Sequence, residues 1–138
     1  MTATVLALTG FIAWTLLLLV LMEAIRAGLV LTRTVPADGF DPGNSTLSPF
    51  MQRLARVHAN CLEGLPIFGG LMLVAIVTDR TAITDPLAPV LLAARLVQSS
   101  IHLVSVSRTA ITLRFVAFTV QMAISVVWTM RLCAIGGQ

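Results

Sequence analysis

Three apolar segments of the chain each carry a row of polar side chains at helical spacing. In the second apolar segment the row recurs at i, i+3, i+7 and i+10, and its members are Arg53, Arg56, Asn60 and Glu63. At about 100° per residue, these side chains fall within an arc of roughly 80° on one helix face. The row of the next segment is Arg95, Gln98 and His102. The row of the last segment is Arg114, Gln121 and Ser125, and Phe118 lies on the same face. Each of the three helices is therefore predicted to have one polar face.

Cations outnumber anions in these rows. An ionisable group inside a membrane-spanning helix costs on the order of a few kcal/mol, so such groups usually face the bundle interior or a water-filled cavity. One reading is that the rows satisfy one another inside the bundle, with Glu63 paired to an arginine. The excess of arginine favours something more, because a cavity with a net positive charge would bind an anionic ligand.

The composition predicts that these helices cross a lipid bilayer. Of the 138 residues, 57% are hydrophobic and 11% are charged, with a mean hydropathy of +0.95. Soluble domains contain about 25% charged residues, whereas one membrane span needs about 20 apolar residues. The chain has room for four spans and short loops. The predicted fold class is an all-α membrane protein, an antiparallel four-transmembrane-helix bundle that forms one domain over 1–138.

Turn and capping residues place the ends of the four spans. We expect spans at about 2–31, 49–77, 86–107 and 112–135, with a polar, proline- and glycine-rich linker over 32–47. Ser48-Pro49 and Asp85-Pro86 are predicted to begin the second and third spans, each as a capping residue followed by proline. A brief turn over 108–111 is predicted before the fourth span, which Gly136 and Gly137 are expected to end.

The placement of arginine predicts the orientation and excludes one class of partner. The chain has no lysine, and its arginines are spread through apolar segments instead of clustering on a solvated face, so no nucleic acid partner is expected. More of them flank the 32–47 linker than the opposite side, which predicts a cytoplasmic linker with both termini outside. The arginine bias and compact length favour a bacterial inner membrane. Cys61 and Cys133 lack metal-ligand spacing, and no metal site is predicted.

The segment from Arg53 to Phe68 resembles the second-helix signature of the MAPEG family, the membrane-associated proteins in eicosanoid and glutathione metabolism. The spacing R-x-x-R-x-H-x-N-x-x-E-x-x-P carries the resemblance. The length, the four spans and the arginines of the third and fourth spans agree, so it covers essentially the whole chain. The resemblance implies homotrimers with reduced glutathione as co-substrate, bound between neighbouring subunits towards the cytosol. It also implies a hydrophobic electrophile or lipid that enters from the bilayer.

The resemblance also implies a role for each matching residue. Arg56, Asn60 and Glu63 would hold the tripeptide, with Arg53 nearby, and the third span would contribute Arg95, Gln98 and His102, although His102 fits packing equally well. Arg114 matches the fourth-span arginine of the prostaglandin- and leukotriene-forming members and would be the catalytic residue. A guanidinium near the sulfur stabilises a thiolate nucleophile at neutral pH. The implied activity is that of a detoxifying glutathione transferase or peroxidase.

The chain departs from the family pattern at three positions. Ala59 stands where some members carry another arginine, and His102 and Phe118 stand where tyrosines are common, in a chain with no tyrosine. A mechanism that needs a phenolic hydroxyl is therefore excluded, whereas activation by arginine is not. Two alternatives remain: a MAPEG-like protein that binds lipids or partners without catalysis, and a small proton-coupled exporter in which Glu63 carries the proton. The arginine row would repel the cationic drugs that such exporters carry.

Overall fold

A computed structural model describes residues 1–136, and within them it contains helices and no strands. The elements are α1 Ala3–Leu31, α2 Pro49–Gly64, a π-helical turn Leu65–Gly69, α3 Gly70–Val77, α4 Thr81–Thr84, α5 Ala88–Val104 and α6 Arg108–Gly136. Because α2, the π-helical turn and α3 follow without a break, they form one helix over Pro49–Val77. The helix stop predicted at Gly137 lies outside the described residues.

Three of these helices are long and apolar enough to cross a membrane, namely Ala3–Leu31, Pro49–Val77 and Arg108–Ala134. The fourth, α5, has 17 residues. At 1.5 Å per residue it is about 26 Å long, a little less than the ~30 Å hydrocarbon core of a bilayer. The all-helical membrane fold predicted from composition and periodicity is confirmed.

The long helices run in alternating directions. At one end of the bundle, Arg53 in the first turns of α2 donates from Nε to the carbonyl oxygen of Leu103 at the end of α5, at 2.8 Å. At the other end, Thr4 of α1 contacts Asp85, just before α5. The 32–47 linker joins α1 to α2 at the first of these ends, which we call the linker end. It carries the last turns of α1 and α5 and the first turns of α2 and α6.

The predicted start of α2 is confirmed, whereas Asp85 serves a different helix from the one predicted. Ser48 Oγ accepts the N–H of Met51 at 3.3 Å, with Pro49 in the first turn. Asp85 follows α4, and its carboxylate accepts the N–H of Thr4 in α1. Helix α5 begins after Leu87, with no capping side chain among the described residues. The prediction was wrong because the fold of 81–87 turns this carboxylate towards a neighbouring N-terminus, where free N–H groups need acceptors.

Helix α6 begins four residues earlier than predicted, at Arg108. The hydroxyl of Ser107 accepts the N–H of Ala110 at 3.2 Å and caps the first turn. Serine is a favoured N-cap because its side chain satisfies a free N–H there. The segment 108–111, predicted as a turn, is therefore helical.

Pro66 lies in the π-helical turn Leu65–Gly69. Proline has no N–H to donate to the preceding turn, and a wider turn accommodates that loss within a continuous helix. Phe68 and Gly69 within the turn are buried. The turn thus places an aromatic ring from the middle of the second span in the bundle interior.

Apolar side chains fill the interior and also cover much of the outside. Phe11, Leu54, Met72, Leu91 and Trp128 are fully buried, one or more from each long helix. Large apolar side chains are also exposed along the same helices, for example Leu16, Val20, Phe115 and Val126. An apolar outer surface of this extent suits contact with lipid and not with water.

The linker is held against α1 and α2 by a buried asparagine. Asn44 accepts from Arg26 Nε of α1 at 3.0 Å and donates from its amide to the carbonyl oxygen of Met51 at 2.9 Å. The guanidinium of Arg26 also lies over the ring of Phe40, 5.6 Å from its centre. This linker is therefore an ordered part of the linker end.

Candidate functional site

A cavity of about 710 Å³ lies between the second span, α5 and α6. Its polar lining comes from Asn60, Glu63, Arg95, Gln98, Ser125 and Thr129. Its apolar lining comes from Ile67, Phe68, Phe118, Met122, Val126 and Met130. Several lining residues, such as Glu63 and Met130, are exposed on the bundle surface. The cavity is therefore a cleft that opens at the outside of the bundle and is lined by both polar and apolar side chains.

The structure divides the residues predicted for the site into two groups. Asn60, Glu63, Arg95 and Gln98 line the cavity. Arg53, Arg56, His102 and Arg114 are not among its lining residues and form what we call the linker-end cluster. His102 is buried in the last turn of α5, and the three arginines lie in the first turns of α2 and α6, at the same end of the bundle. Since Arg56 and Asn60 are one helical turn apart, about 6 Å along the axis, the two groups are contiguous along α2.

The α2 members of these groups are exposed in the single chain. Arg56, Asn60 and Glu63 all lie on the outer surface. Within residues 1–136, the ion pair that forms is that between Arg26 and Glu23, at 2.9 Å. The expected pairing of Glu63 with an arginine does not occur among the described residues. Polar groups of a spanning helix that remain unpaired and exposed to lipid are costly.

Arg95 is the most buried ion of the cavity, with 2% of its surface exposed. Its guanidinium carbon lies 5.2 Å from the ring centres of both Phe11 and Phe68. Nη1 donates to the carbonyl oxygen of Asn60 at 3.4 Å, a long contact. Nε and Nη2 have no hydrogen-bond partner among the described residues. The cation thus lies against two aromatic rings, and no anion pairs with it within residues 1–136.

Comparison with known proteins assigns the chain to a family. The model of the MAPEG family matches residues 4–134, nearly the whole length. The chain belongs to the MAPEG family. No curated protein and no solved structure gave a match. The resemblance identified from the second-helix motif is confirmed, and this MAPEG chain is an integral membrane protein of the kind found in glutathione and eicosanoid metabolism.

The structure of this MAPEG protein also shows positions that the motif analysis left out of the site. Phe11 and Phe68 lie against Arg95, and Gly64 leaves room for it, since a Cβ there would lie 2.7 Å from Nη2. Phe68 and Gly64 are within the motif segment, so their spacing from Glu63 could have marked them. Phe11 could not have been found, because it is 84 positions from Arg95 in an otherwise apolar helix.

A pair of glutamines joins α5 to α6 beside the cavity. Gln121 donates from Nε2 to Gln98 Oε1 at 2.9 Å and to the carbonyl oxygen of Ala117 at 2.9 Å. Its own Oε1 is buried and has no partner among the described residues. Gln121 belongs to the polar row of α6, and its contact with Gln98 shows that the rows of α5 and α6 face each other.

Proposed function

We propose that this protein is a membrane-bound, glutathione-dependent transferase or peroxidase that acts on hydrophobic electrophiles or lipid hydroperoxides. The observation that supports this most is that the linker-end cluster and the partly apolar cavity adjoin each other along α2. The row on α2 runs from Arg53 and Arg56 at the linker end to Asn60 and Glu63 in the cavity wall. Such a surface suits an anionic thiol peptide at one end and an apolar second substrate at the other.

The length of the polar row fits the proposed tripeptide. Arg56 and Glu63 are seven positions apart, a distance of about 10 Å along a helix, and an extended tripeptide is also about 10 Å long. We propose that Arg53 and Arg56 bind its carboxylates, since guanidinium groups bind carboxylates through paired hydrogen bonds. Asn60, Glu63, Gln98 and His102 complete the polar contacts, and Arg95 is part of the cavity lining.

The proposed chemistry requires a thiolate, which glutathione supplies as the nucleophile. We propose that Arg114 stabilises the thiolate by its positive charge. Arg114 is half-buried in the second turn of α6, at the linker end of the bundle. It therefore lies at the same end as Arg53 and Arg56, and the chain needs no tyrosine for this role.

The exposed α2 row also supports the proposed homotrimer. Arg56, Asn60 and Glu63 would contact lipid if the chain stood alone in a bilayer, at a cost that membrane proteins avoid by burying such groups against protein or water. We propose that a second copy covers this face, so that the glutathione site lies between neighbouring subunits. The arginines at the linker end favour a cytoplasmic linker, in a bacterial inner membrane, with both termini outside.

A lipid-binding role without catalysis is the second candidate. It is favoured by the position of Arg114, which is not among the lining residues of the cavity. If the thiolate did not reach the cavity, the same cleft would bind an apolar ligand without reacting with it. Binding of glutathione and turnover of an electrophile distinguish the two candidates.

The test is calorimetric titration of the detergent-purified protein with reduced glutathione. Arg56→Leu removes a proposed carboxylate ligand, and Arg131→Leu removes an exposed arginine of α6 outside both groups. We expect saturable binding in the wild type and in Arg131→Leu, and its loss in Arg56→Leu. Absence of binding up to millimolar glutathione would overturn the assignment of the thiol. Binding without turnover of cumene hydroperoxide or a hydrophobic epoxide would select the second candidate.

A further inference from the structure

Arg95 carries an uncompensated charge at the boundary of the cavity. Its side chain is 2% exposed, and within residues 1–136 it forms no ion pair. Two of its nitrogens, Nε and Nη2, have no acceptor among the described residues. Buried donors without acceptors and buried charges without counter-ions are both unfavourable. An oxygen anion that entered the cavity would relieve both.

The surroundings of Arg95 keep its guanidinium at this depth. Arginine side chains in membrane helices usually extend towards the interface, where water solvates the charge. Here the rings of Phe11 and Phe68 lie side by side against the guanidinium, each ring centre 5.2 Å from its central carbon. Gly64 supplies the remaining space, because a Cβ at that position would lie 2.7 Å from Nη2. The cation is therefore held beside the cavity by residues from α1, α2 and the π-helical turn.

Arg95 lines the same cavity as residues proposed for both substrates. Asn60 and Glu63 belong to the row proposed for the tripeptide, and Met122, Val126 and Met130 of α6 belong to the apolar lining. Among the described residues, the one hydrogen bond of the guanidinium is the 3.4 Å contact of Nη1 with the carbonyl oxygen of Asn60. Nε and Nη2 therefore remain as donors for an atom that occupies the cavity that Arg95 lines.

We propose that Arg95 is the oxyanion-binding residue for the second substrate, an inference that rests on the proposed glutathione chemistry. The substrates this favours are hydrophobic compounds that develop a negative oxygen when a thiolate attacks them, such as epoxides, unsaturated ketones and hydroperoxides. Donors held ready for a developing oxygen charge in a site of low polarity are among the strongest contributors to catalysis. Compounds that release a halide would gain little from this residue.

In the reaction with an epoxide, each bond that forms is matched by a bond that breaks. The thiolate sulfur forms a bond to a ring carbon, the bond from that carbon to oxygen breaks, and its electron pair remains on the oxygen as an alkoxide. Arg95 donates hydrogen bonds to the alkoxide, which then takes a proton from water to give the hydroxy thioether. For a hydroperoxide, two thiols supply two electrons, and the products are an alcohol, a disulfide and water. Arg95 would stabilise the alkoxide released as the O–O bond breaks.

The test compares two electrophiles of equal length, 1,2-epoxydodecane and 1-iodododecane. Both are attacked at carbon, but only the first leaves its charge on oxygen. Arg95→Met removes the donors, and Gly64→Ala displaces Nη2 while leaving the charge in place. Gly70→Ala is the matched control, because a Cβ there meets nothing within 4 Å. The readout is the ratio of kcat/KM for the epoxide to kcat/KM for the iodide, with glutathione saturating.

We expect Arg95→Met to lower this ratio by about 100-fold, as removal of a single oxyanion donor does in other enzymes. Gly64→Ala should lower it in the same direction, whereas Gly70→Ala should leave it unchanged. If Arg95→Met fails to fold, Gly64→Ala and Gly70→Ala carry the comparison. An unchanged ratio in Gly64→Ala and in any folded Arg95→Met protein would overturn the inference.

A second measurement needs no thiol chemistry. Dodecanoate and dodecanol have the same chain and differ in the charge on oxygen, and their binding to the protein in nanodiscs is measured without glutathione. Oxyanion binding is supported if the wild type and Gly70→Ala prefer dodecanoate and if Arg95→Met or Gly64→Ala loses this preference. If that result is obtained while no electrophile turns over, the proposed transferase or peroxidase activity is wrong and the role of Arg95 in binding an oxygen anion stands. Equal binding of the two compounds by the wild type, without an epoxide preference in turnover, would overturn the role given to Arg95.

Discussion

The carboxylate of Asp85 caps the first turn of α1, accepting the N–H of Thr4 at 2.8 Å and its hydroxyl at 2.6 Å. The two residues are 81 positions apart. Thr84 adds a contact of 2.7 Å between its hydroxyl and that of Thr4. The start of the first helix is thus joined, at the end of the bundle opposite the linker, to the connection that precedes α5.

We predict that Asp85→Asn lowers the free energy of unfolding by about 0.5 to 1 kcal/mol, because an anion at a helix N-terminus is lost while the amide oxygen can still accept one hydrogen bond. Asp79→Asn is the matched control in the same connection. Asp79 is exposed and has a φ of 54°, which asparagine tolerates well. Denaturant unfolding in detergent measures both variants. Equal effects of the two substitutions would contradict a specific cap at Asp85.

The same contact predicts a pH dependence. The hydrogen bond from the Thr4 hydroxyl, followed by that from the Thr4 backbone, holds the pKa of the Asp85 carboxyl below its usual value of 3.8. A carboxyl with a lowered pKa in the folded protein stabilises the fold above the unfolded pKa and loses that contribution as the pH falls through the folded pKa.

The difference in stability between the wild type and Asp85→Asn should therefore stay constant from neutral pH down to about pH 5. It should shrink as the pH falls below 3.8. Unfolding of both proteins across this range is the measurement, and the subtraction removes the contributions of other carboxyl groups. A difference that grows with acid would contradict the hydrogen-bond arrangement.

The buried side chain of Asn44 should keep the 32–47 linker ordered. Asn44→Ala removes the bonds to Arg26 and to the Met51 carbonyl and places alanine at a φ of 54°. We expect a loss of about 2 to 3 kcal/mol, the scale of leaving buried polar groups without partners. Trypsin cleavage after Arg33 in the linker should become several-fold faster. Thr46→Ala, at an exposed linker position, should cleave at the wild-type rate, and an unchanged rate in Asn44→Ala would show that the contact does not order the linker.

Removal of Arg114 should separate binding from chemistry. We expect Arg114→Leu to lose glutathione-dependent turnover while keeping the oligomer and most of the affinity for glutathione, since its proposed task is to stabilise the thiolate. Arg108→Leu, an exposed arginine in the first turn of the same helix, should keep its turnover. Kinetics, size-exclusion chromatography and calorimetry report the three properties. Full activity in Arg114→Leu would remove the thiolate assignment.

Much of the fold could be predicted because its causes are local. Long apolar segments determine where helices cross a membrane, and Ser48-Pro49 signals the start of α2 through contacts within one turn. The spacing from Arg53 to Pro66 led to the MAPEG family, which the family match confirms. The roles given to the site residues, the ligand and the trimer remain predictions, which the experiments above test.

Other features depended on partners that are distant in sequence. Asn60, Glu63, Arg95 and Gln98 of the polar rows line one cavity, and the rows could not show that the linker-end cluster lies outside that lining. Asp85 was assigned to the helix that follows it, because a capping pattern does not reveal which N-terminus its carboxylate reaches. Nor does an arginine in an apolar helix reveal what surrounds it.

Residue type and spacing alone decide which segments are helical, which face of each is polar and which family the chain belongs to, since these properties depend on interactions within a few turns. Packing decides the rest. The rings of Phe11 and Phe68 meet at Arg95 only when three helices associate. Those distant neighbours also decide whether a buried guanidinium has a counter-ion and acceptors for its N–H groups. The reason is that hydrogen bonds and ion pairs need groups within a few ångströms, and these groups can be far apart in the chain.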